Sequence, residues 1–321
     1  MYWLFRDHSL TEFIDQLLQV DYGWIMVAFC LILLGYFIRA WRWRMLLEPV
    51  GYKGPVIRLF YNVMALYLVN LVLPRAGEVY RCGLLYRTDN IPVSASLGTV
   101  VTERIIDMVM LLLVTMLAFL LEFDKLVEYT AGVMNKDSAS PDGSSLIVYL
   151  FAGAAGLFAL GLLLYLFFRR KLLQYTLFVK TEAFIKDLIQ GILSIRSLKS
   201  PFLFILASVG LWTVYFFLTY MVMLSIPSTH DLAILAVLSV LAMGGIGMAA
   251  PVQGGIGTYH ALVAGVLVLY GITQQNGEFF AAISHSLQLV ATVILGGIGM
   301  FLSLATAKKK QYATVSDKDR I

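Results

Sequence analysis

The sequence predicts an all-α polytopic integral membrane protein, built as an inverted-topology repeat with two opposed re-entrant helical hairpins. Hydrophobic residues make up 60% of the 321 residues and charged residues only 14%, a composition far from that of soluble domains. Several apolar runs approach the roughly 20 residues that a spanning helix needs, and none alternates as a barrel strand does. Two stretches rich in Pro, Gly or charge interrupt these runs at corresponding places in the two halves.

The apolar runs define the predicted spanning segments. They are Trp24–Phe37, Met108–Leu121, Leu146–Phe168, Phe202–Leu224, Leu232–Ala250 and Phe279–Ala305. Residues 1–19 carry charges of both signs and no small-residue cleavage site, so we expect a retained amphipathic tail and not a signal peptide. Cys30 lies in an apolar run and Cys82 beside charged residues, which indicates neither a disulfide framework nor a cysteine metal site. We expect no metal and no cofactor.

Basic residues predict the orientation of the chain. They collect after the first span, after Phe168 and after the last span: Arg39, Arg42, Arg44, Lys53 and Arg58; Arg169, Arg170 and Lys171; Lys308, Lys309 and Lys310. Cytoplasmic loops carry an excess of Lys and Arg. We therefore expect a multi-pass protein of the bacterial inner membrane, with the N-terminus outside and the C-terminus in the cytoplasm. Because topology explains the net charge of +4, no nucleic-acid partner is expected.

The chain between Pro55 and Pro92 is predicted to form the first re-entrant hairpin. It must begin and end in the cytoplasm, yet too few residues separate Pro74 from the polar turn at Thr88 to cross the bilayer. A helix rises about 1.5 Å per residue, against roughly 30 Å of hydrocarbon. The string LPRAGE is therefore expected at the tip of this hairpin.

A second re-entrant hairpin is predicted between Leu232 and Gly271. This stretch must begin and end outside, and the string MGGIGMAAPVQGGIGT interrupts it in the middle. Pro and a high density of Gly do not continue a helix without a large cost in free energy. Non-helical backbone at membrane depth occurs only inside protein or along a cavity, so both tips, at LPRAGE and at PVQGGIGT, should be internal.

We expect residues 1–321 to form one membrane domain with related halves. Residues 1–121 supply a span, the cytoplasmic-side hairpin and a span, and residues 201–307 supply a span, the outer-side hairpin and a span. Residues 122–200 supply an outer loop, a linking span and a cytoplasmic amphipathic helix at Lys180–Ser200, and residues 308–321 form a cytoplasmic tail. Paired discontinuous segments in inverted halves indicate a transporter with a midplane substrate site.

Six charged residues lie within or beside membrane-length apolar runs: Arg75, Glu78, Arg81, Glu103, Arg104 and Asp107. An ionisable group near the bilayer centre costs about 2.5–3.5 kcal/mol on insertion scales, so such residues pair with each other or face a watery cavity. Guanidinium groups suit phosphate, and a helix that begins after a Gly-rich tip offers free N–H groups to an anion. We expect a site for an anionic lipid headgroup, with Arg75 and Glu78 set against Arg104 and Asp107.

These features also have structural interpretations. The charges fit an ion-pair network that only ties the hairpin to a span, Arg81 fits a side chain that extends to the interface, and Glu103 fits a solvated position. The Gly-rich tip fits close helix packing. His260 and His285 fit hydrogen-bonded core residues, and the segment Arg39–Arg44 fits an aromatic and basic anchor at the inner face.

Four strings in this chain resemble a known family. RAWRWRMLL, NLVLPRAGEVYR, TERIID and APVQGGIGT occur in the order and spacing of the flippase-like family named for the lysylphosphatidylglycerol synthase transmembrane region. The resemblance covers nearly the whole chain. It assigns the site to Asn70, Pro74, Arg75, Gly77, Glu78, Arg81, Glu103, Arg104, Asp107, Gly254, Gly255, Gly257 and Thr258.

The resemblance also implies a function. The family includes the membrane half of the multiple peptide resistance factor, which moves aminoacylated phosphatidylglycerol between leaflets, so we expect a lipid flippase whose partners are membrane lipids with anionic headgroups. Only KKKQYATVSDKDRI follows Ala307, so the soluble aminoacyl-transfer domain is expected to be absent, and with it lysyl transfer. Two alternatives remain: a membrane enzyme with Glu103 or Asp107 as general base, and a non-transporting partner in a glycolipid or phospholipid pathway.

Overall fold

The computed structural model describes residues 10–122, 194–250 and 252–318, which contain α-helices and short 3-10 turns but no strand. In chain order the helices are α1 Leu10–Leu18, α2 Tyr22–Leu47, α3 Val56–Val72, α4 Ala76–Asp89, α5 Val93–Leu121, α6 Pro201–Ser225, α7 Ile234–Ala249, α8 Thr258–Val268 and α9 Gln274–Lys318. The all-α class is therefore confirmed. The predicted span Leu146–Phe168, nearly all of the outer loop before it and most of the predicted helix Lys180–Ser200 lie outside the described residues.

Four of the described helices are long and apolar enough to cross a membrane. They occupy Tyr22–Val50, Val93–Leu121, Pro201–Ser225 and Gln274–Ala307. Large apolar side chains point outward from them, as at Met108, which is 71% exposed. Helices α3, α7 and α8 are apolar but shorter. The chain is thus a multi-pass membrane protein.

Helix α2 is longer than its apolar run predicts. The run ends at Phe37, but the helix continues for ten more residues to Leu47. This extension contains Arg39 and Arg42, and both side chains are buried inside the protein. Buried charges are tolerated where they are paired, and both arginines form ion pairs with acidic side chains on another helix.

Helices α2 and α6 run antiparallel and pack along most of their length. The backbone N–H of Asp21 donates to the carbonyl of Ser225 over 2.8 Å, which brings the start of α2 to the end of α6. At the opposite end Lys199 forms an ion pair with Glu48 over 3.2 Å. The two helices are therefore joined at both ends.

Helices α3 and α4 form a tight hairpin whose turn lies at the predicted string LPRAGE. The turn residue Arg75 has a left-handed backbone, with φ of 64°. The Asn70 side chain accepts the backbone N–H of Gly77 over 2.8 Å, so α3 supplies the cap for the first turn of α4. At the other end Arg58 and Asp89 form an ion pair over 2.6 Å. The hairpin is thus closed at both ends.

Helices α7 and α8 form a second hairpin, with the predicted Gly-rich segment between them. Gly254, Gly255 and Gly257 all have positive φ values, a conformation that other residues adopt only with strain. A Cβ atom on Gly247 would lie 2.7 Å from the Cα of Tyr259, so this glycine allows the two helices to approach closely. Glycine therefore serves both the turn and the packing here.

The two hairpins meet inside the bundle. Helix α9 packs along α3, where a Cβ atom on Gly296 would lie 2.6 Å from the Cβ of Leu68. The turn Gln253–Gly255 of the second hairpin also contacts α3. Helix α1 covers the start of α9 through an edge-to-face contact between Phe13 and Phe279. The second turn thus packs against α3, whereas the first turn is not internal as predicted, since Leu73 is 60% exposed.

We predict that Gly77→Ala destabilises the protein by about 1–3 kcal/mol, the usual cost of overpacking. A Cβ atom at this position would overlap the carbonyl oxygen of Leu66 on α3, where backbone and not a flexible side chain must move. Thermal unfolding of the purified protein in detergent measures the change.

Gly83→Ala on the same helix is the matched control, because no atom lies within 4 Å of its added Cβ. That variant should be neutral or more stable, since alanine favours helix by about 0.5–1 kcal/mol; equal melting temperatures for the two variants would contradict this account of the hairpin.

Candidate functional site

Glu103 on α5 is the centre of a buried ion-pair network. Its side chain is fully buried and accepts hydrogen bonds from three arginines. Oε1 lies 2.9 Å from Nη1 of Arg39 and 3.4 Å from Nη2 of Arg42, and Oε2 lies 2.8 Å from Nη2 of Arg81. A single carboxylate therefore connects the long helices α2 and α5 to the hairpin helix α4.

Asp107 extends the network by one helical turn. Its Oδ2 atom lies 3.0 Å from Nη2 of Arg39, and its Oδ1 atom lies 2.6 Å from Nη2 of Arg42. The two arginines are three residues apart and the two acids four residues apart, so each pair occupies one face of its helix. With Arg81 included, three guanidinium groups face two carboxylates. The network therefore carries one formal positive charge in excess.

Aromatic and hydroxyl side chains hold the arginines in position. The Cζ atom of Arg81 lies 4.2 Å from the ring centroid of Trp43, a cation–π geometry. The Trp43 indole donates to Thr99 on α5 over 3.0 Å. Arg42 also donates to Ser208 on α6 over 3.4 Å. Four helices, α2, α4, α5 and α6, therefore contribute to one polar cluster inside an apolar protein.

A second ion pair joins the first hairpin to α5. Glu78 accepts from Arg104 in a close contact, as the sequence analysis expected for the hairpin and the following span. This pair is more open than the central network, because 43% of the Arg104 side chain is exposed. Arg75 is exposed at the hairpin turn and forms no ion pair with the described residues.

The structure arranges the predicted charges differently from the expected pairing. Asp107 binds Arg39 and Arg42 and not the hairpin tip, while Arg81 is fully buried and does not extend to the interface. Glu103 is buried rather than solvated. The network therefore includes two arginines that the sequence analysis interpreted as an inner-face anchor. A sequence pattern that indicates this pairing is the helical spacing of Arg39 and Arg42 on α2, which matches that of Glu103 and Asp107 on α5.

A cavity of about 390 Å³ lies between the two hairpins. Six helices, α2, α3, α6, α7, α8 and α9, supply its walls together with Gly254. Of the described residues that line it, Arg39 is the only one with a permanently charged side chain. Of the thirteen site residues predicted from sequence, Asn70 and Gly254 line the cavity. The other eleven do not: Pro74, Arg75, Gly77, Glu78, Arg81, Glu103, Arg104, Asp107, Gly255, Gly257 and Thr258.

The predicted residues outside the cavity have structural contacts of their own. Thr258 donates through Oγ1 to the carbonyl of Gly247 over 2.8 Å, which fixes the start of α8 against α7. The backbone N–H of Gly257 lies 3.5 Å from Nδ1 of His260. In the described part of the chain, no group of three or more His, Cys, Asp or Glu side chains is arranged to hold a metal ion. The site offers one cation and neutral polar groups to a ligand.

Comparison with known proteins identifies the family of this chain. The chain matches the family described as the lysylphosphatidylglycerol synthase TM region over residues 1–296. A UPF0104 membrane protein of Methanocaldococcus jannaschii is 27% identical over 111 residues, which cover 34% of this chain and 33% of that protein. The chain thus aligns with about a third of the length of this curated relative. No solved structure matches the chain.

We predict that Glu103→Gln lowers thermal stability far more than Glu78→Gln does. Removing one partner of a buried ion pair costs about 3–5 kcal/mol, and here three arginines would face Asp107 alone. The Glu78 pair is partly exposed and should contribute about 1 kcal/mol or less. Melting temperatures in the same detergent compare the two variants, which carry the same chemical change. Similar losses would mean that Glu103 does not hold the helices together.

Proposed function

The chain belongs to the lysylphosphatidylglycerol synthase TM-region family, and on that premise we propose that it is a lipid translocase. It moves an anionic phospholipid or a lipid-linked phosphate between the leaflets of the bacterial inner membrane. The observation that carries this proposal is Arg39, a guanidinium group on the wall of a cavity between two helical hairpins. The cavity accepts the headgroup, while the acyl or polyprenyl chains stay in the surrounding lipid.

The helix arrangement supports a transporter with inverted halves. The first spans of the halves, α2 and α6, pack against each other, and the hairpin of each half packs on the last span of the other, as α3 with α9 and α7 with α5. The hairpin helices have 17, 14, 16 and 11 residues, so they are about 17 to 26 Å long, less than the roughly 30 Å of hydrocarbon. These lengths support the proposal that both hairpins are re-entrant. The N-terminus is outside and the C-terminus is cytoplasmic.

The excess charge of the network gives the site its selectivity for anions. Three arginines and two carboxylates leave one positive charge, which a phosphate monoanion neutralises. Within the network Glu103 and Asp107 accept hydrogen bonds from both terminal nitrogens of Arg39. A phosphate that takes the place of Asp107 leaves that carboxylate with Arg42, its partner at 2.6 Å. The headgroup is thus exchanged for an internal anion, and no charge is left unpaired.

Movement of the halves against each other then carries the bound headgroup across the membrane. Alternating access in transporters of this kind is a rocking of one repeat around a central site. The cavity lies between the hairpins of both halves, so such a movement opens it to one side and closes it to the other. Arg75 at the turn of the first hairpin is an exposed cation, suited to a first contact with an approaching phosphate.

The geometry favours a translocase over a membrane enzyme. A general base needs a carboxylate oxygen within reach of a substrate proton. Glu103 instead accepts from three arginines and does not line the cavity, and Asp107 accepts from two. Incubation of the purified protein with lipid extracts followed by mass spectrometry distinguishes the two functions, because an enzyme yields a new covalent product. A non-transporting partner protein would produce neither lipid movement nor a product.

We predict that Arg39→Ala lowers lipid translocation by about tenfold or more. A charged hydrogen bond contributes about 1.5–3 kcal/mol, and each 1.4 kcal/mol corresponds to a factor of ten. The measurement uses proteoliposomes with fluorescent phosphatidylglycerol and a membrane-impermeant quencher. Arg39→Lys keeps the charge but loses the two-pronged geometry, so it should retain an intermediate rate.

Arg44→Ala is the matched control, because Arg44 is on the same helix but pairs with Glu48 outside the cavity. Its rate should equal that of the wild type. Melting temperatures establish that each variant is folded. Arg39→Ala with a normal rate in a folded protein would refute the proposed site, and a wild-type rate equal to that of protein-free vesicles would refute translocation itself.

A further inference from the structure

Helix α1 carries exposed apolar side chains beside the spanning helices. Ile14 is 53% and Leu18 is 77% exposed, although both are large aliphatic residues. We propose that α1 is an interfacial helix, whose Ile14 and Leu18 side chains enter the boundary between the lipid headgroups and the acyl chains. The partner of this surface is the lipid bilayer itself. The inference goes beyond the proposed function and does not depend on lipid translocation.

The contacts between α1 and α9 place α1 at the edge of the membrane. Gln16 donates to the side chain of Asn276 over 2.9 Å, and the ring centroids of Phe13 and Phe279 are 5.3 Å apart. Residues 274–278 of α9, QQNGE, are polar or small, and the apolar run of this helix begins at Phe279. Helix α1 therefore lies at the level where α9 passes from polar to apolar residues.

The start of α2 marks the same level. Tyr22 is the first residue of this candidate span, and its hydroxyl donates to the carbonyl of Leu17 in α1 over 3.0 Å. Tyr22 and Trp24 are both exposed. Tyr and Trp are enriched where a spanning helix meets the membrane–water interface. Two candidate spans, α2 and α9, thus hold α1 at one boundary of the membrane.

The side chains of α1 form three faces. Phe13 and Gln16 point to the bundle, as their contacts with α9 show. Ile14 and Leu18 are about one helical turn apart and share an exposed apolar face, whereas Asp15 lies about 100° around the helix from Ile14 and is also exposed. A helix with one apolar and one charged exposed face suits neither hydrocarbon nor water alone. An interface with lipid on one side and water on the other satisfies both faces.

Lipid fits the apolar face better than a protein partner does. Tyr22, which contacts α1, and Met26, one turn further along α2, are also exposed. Because α2 is a candidate span, these side chains face lipid, and Leu18 precedes Tyr22 by only four residues. The apolar face of α1 therefore continues the lipid-facing surface of α2. A stable protein interface buries about 800 Å² per partner, far more than two side chains offer.

The charges of α1 indicate which lipids it contacts. Residues Leu10–Leu18 include Glu12 and Asp15 but no Lys or Arg. Interfacial helices that bind anionic lipids carry basic residues on their polar face, and α1 has none to supply that attraction. Its contact with the membrane therefore comes from apolar burial, and a surface of zwitterionic lipid is sufficient.

The test measures the depth of single residues of the full chain in phosphatidylcholine nanodiscs. An environment-sensitive fluorophore is attached at Ile14→Cys and Leu18→Cys, with Asp15→Cys and Gln19→Cys as matched neighbours. Lipids that carry a nitroxide near the headgroup should quench the labels at 14 and 18 at least about twofold more than those at 15 and 19. Iodide in the water should quench the labels in the reverse order.

The parent protein for these variants carries Cys30→Ser. It should take up no label itself, because Cys82 is buried. Melting temperatures establish that each variant is folded. Labels at 14 and 18 that iodide quenches as strongly as those at 15 and 19 would overturn the inference. Shielding of the labels at 14 and 18 from both quenchers would also overturn it, because a protein partner or a second copy of the chain would then cover this face.

Hydrogen exchange gives a second measurement without a label. An isolated helix of 9 residues is marginal in water, so loss of its lipid contact should open α1. Ile14→Gln with Leu18→Gln should accelerate amide exchange in residues 10–18 about tenfold or more, since burial of a large aliphatic side chain changes an equilibrium by at least this factor. Thr11→Gln with Asp15→Gln, at two exposed positions outside the apolar face, is the matched control and should exchange at the wild-type rate. Equal exchange in the two double variants would refute the lipid contact of α1.

Discussion

The ion pairs of Glu103 are the interaction on which the rest of the structure depends. One buried carboxylate binds arginines from α2 and α4, and Asp107 binds the α2 arginines a second time. In an apolar bundle, helices gain little from burying apolar side chains against each other, because lipid is equally apolar. Directional polar contacts therefore determine which helices pack together and which of their faces are in contact. The network sets the rotation of α2 and α5, and with it the direction in which Arg39 meets the cavity.

The cavity lies where short helices meet long ones. Its walls combine the shorter helices α3, α7 and α8 with the long helices α2, α6 and α9. Glycines control how much space remains: Gly77 and Gly247 bring the helices of each hairpin together, and Gly296 brings α9 onto α3. Close packing within the hairpins and open space between their turns thus arise from the same short, Gly-containing segments.

The sequence was informative where the signal is local. The turns at LPRAGE and at the Gly-rich segment were predictable because Pro and Gly act on their own backbone, and the Glu78–Arg104 pair joined two strings already recognised. The role of Arg39 was not predictable from hydropathy, because its partners are 64 and 68 positions away along the chain. A basic cluster after an apolar run fits an interfacial anchor equally well. Only the contact between α2 and α5 distinguishes a buried counterion from an anchor.

The extension of α2 past its apolar run changes how the membrane boundary of this protein should be mapped. A reporter fused directly after Phe37 would end the chain inside α2 and omit Arg39 and Arg42, two basic residues of the kind that influence the orientation of a span. Fusions that report the location of this end of α2 should therefore be placed beyond Leu47, where the helix ends.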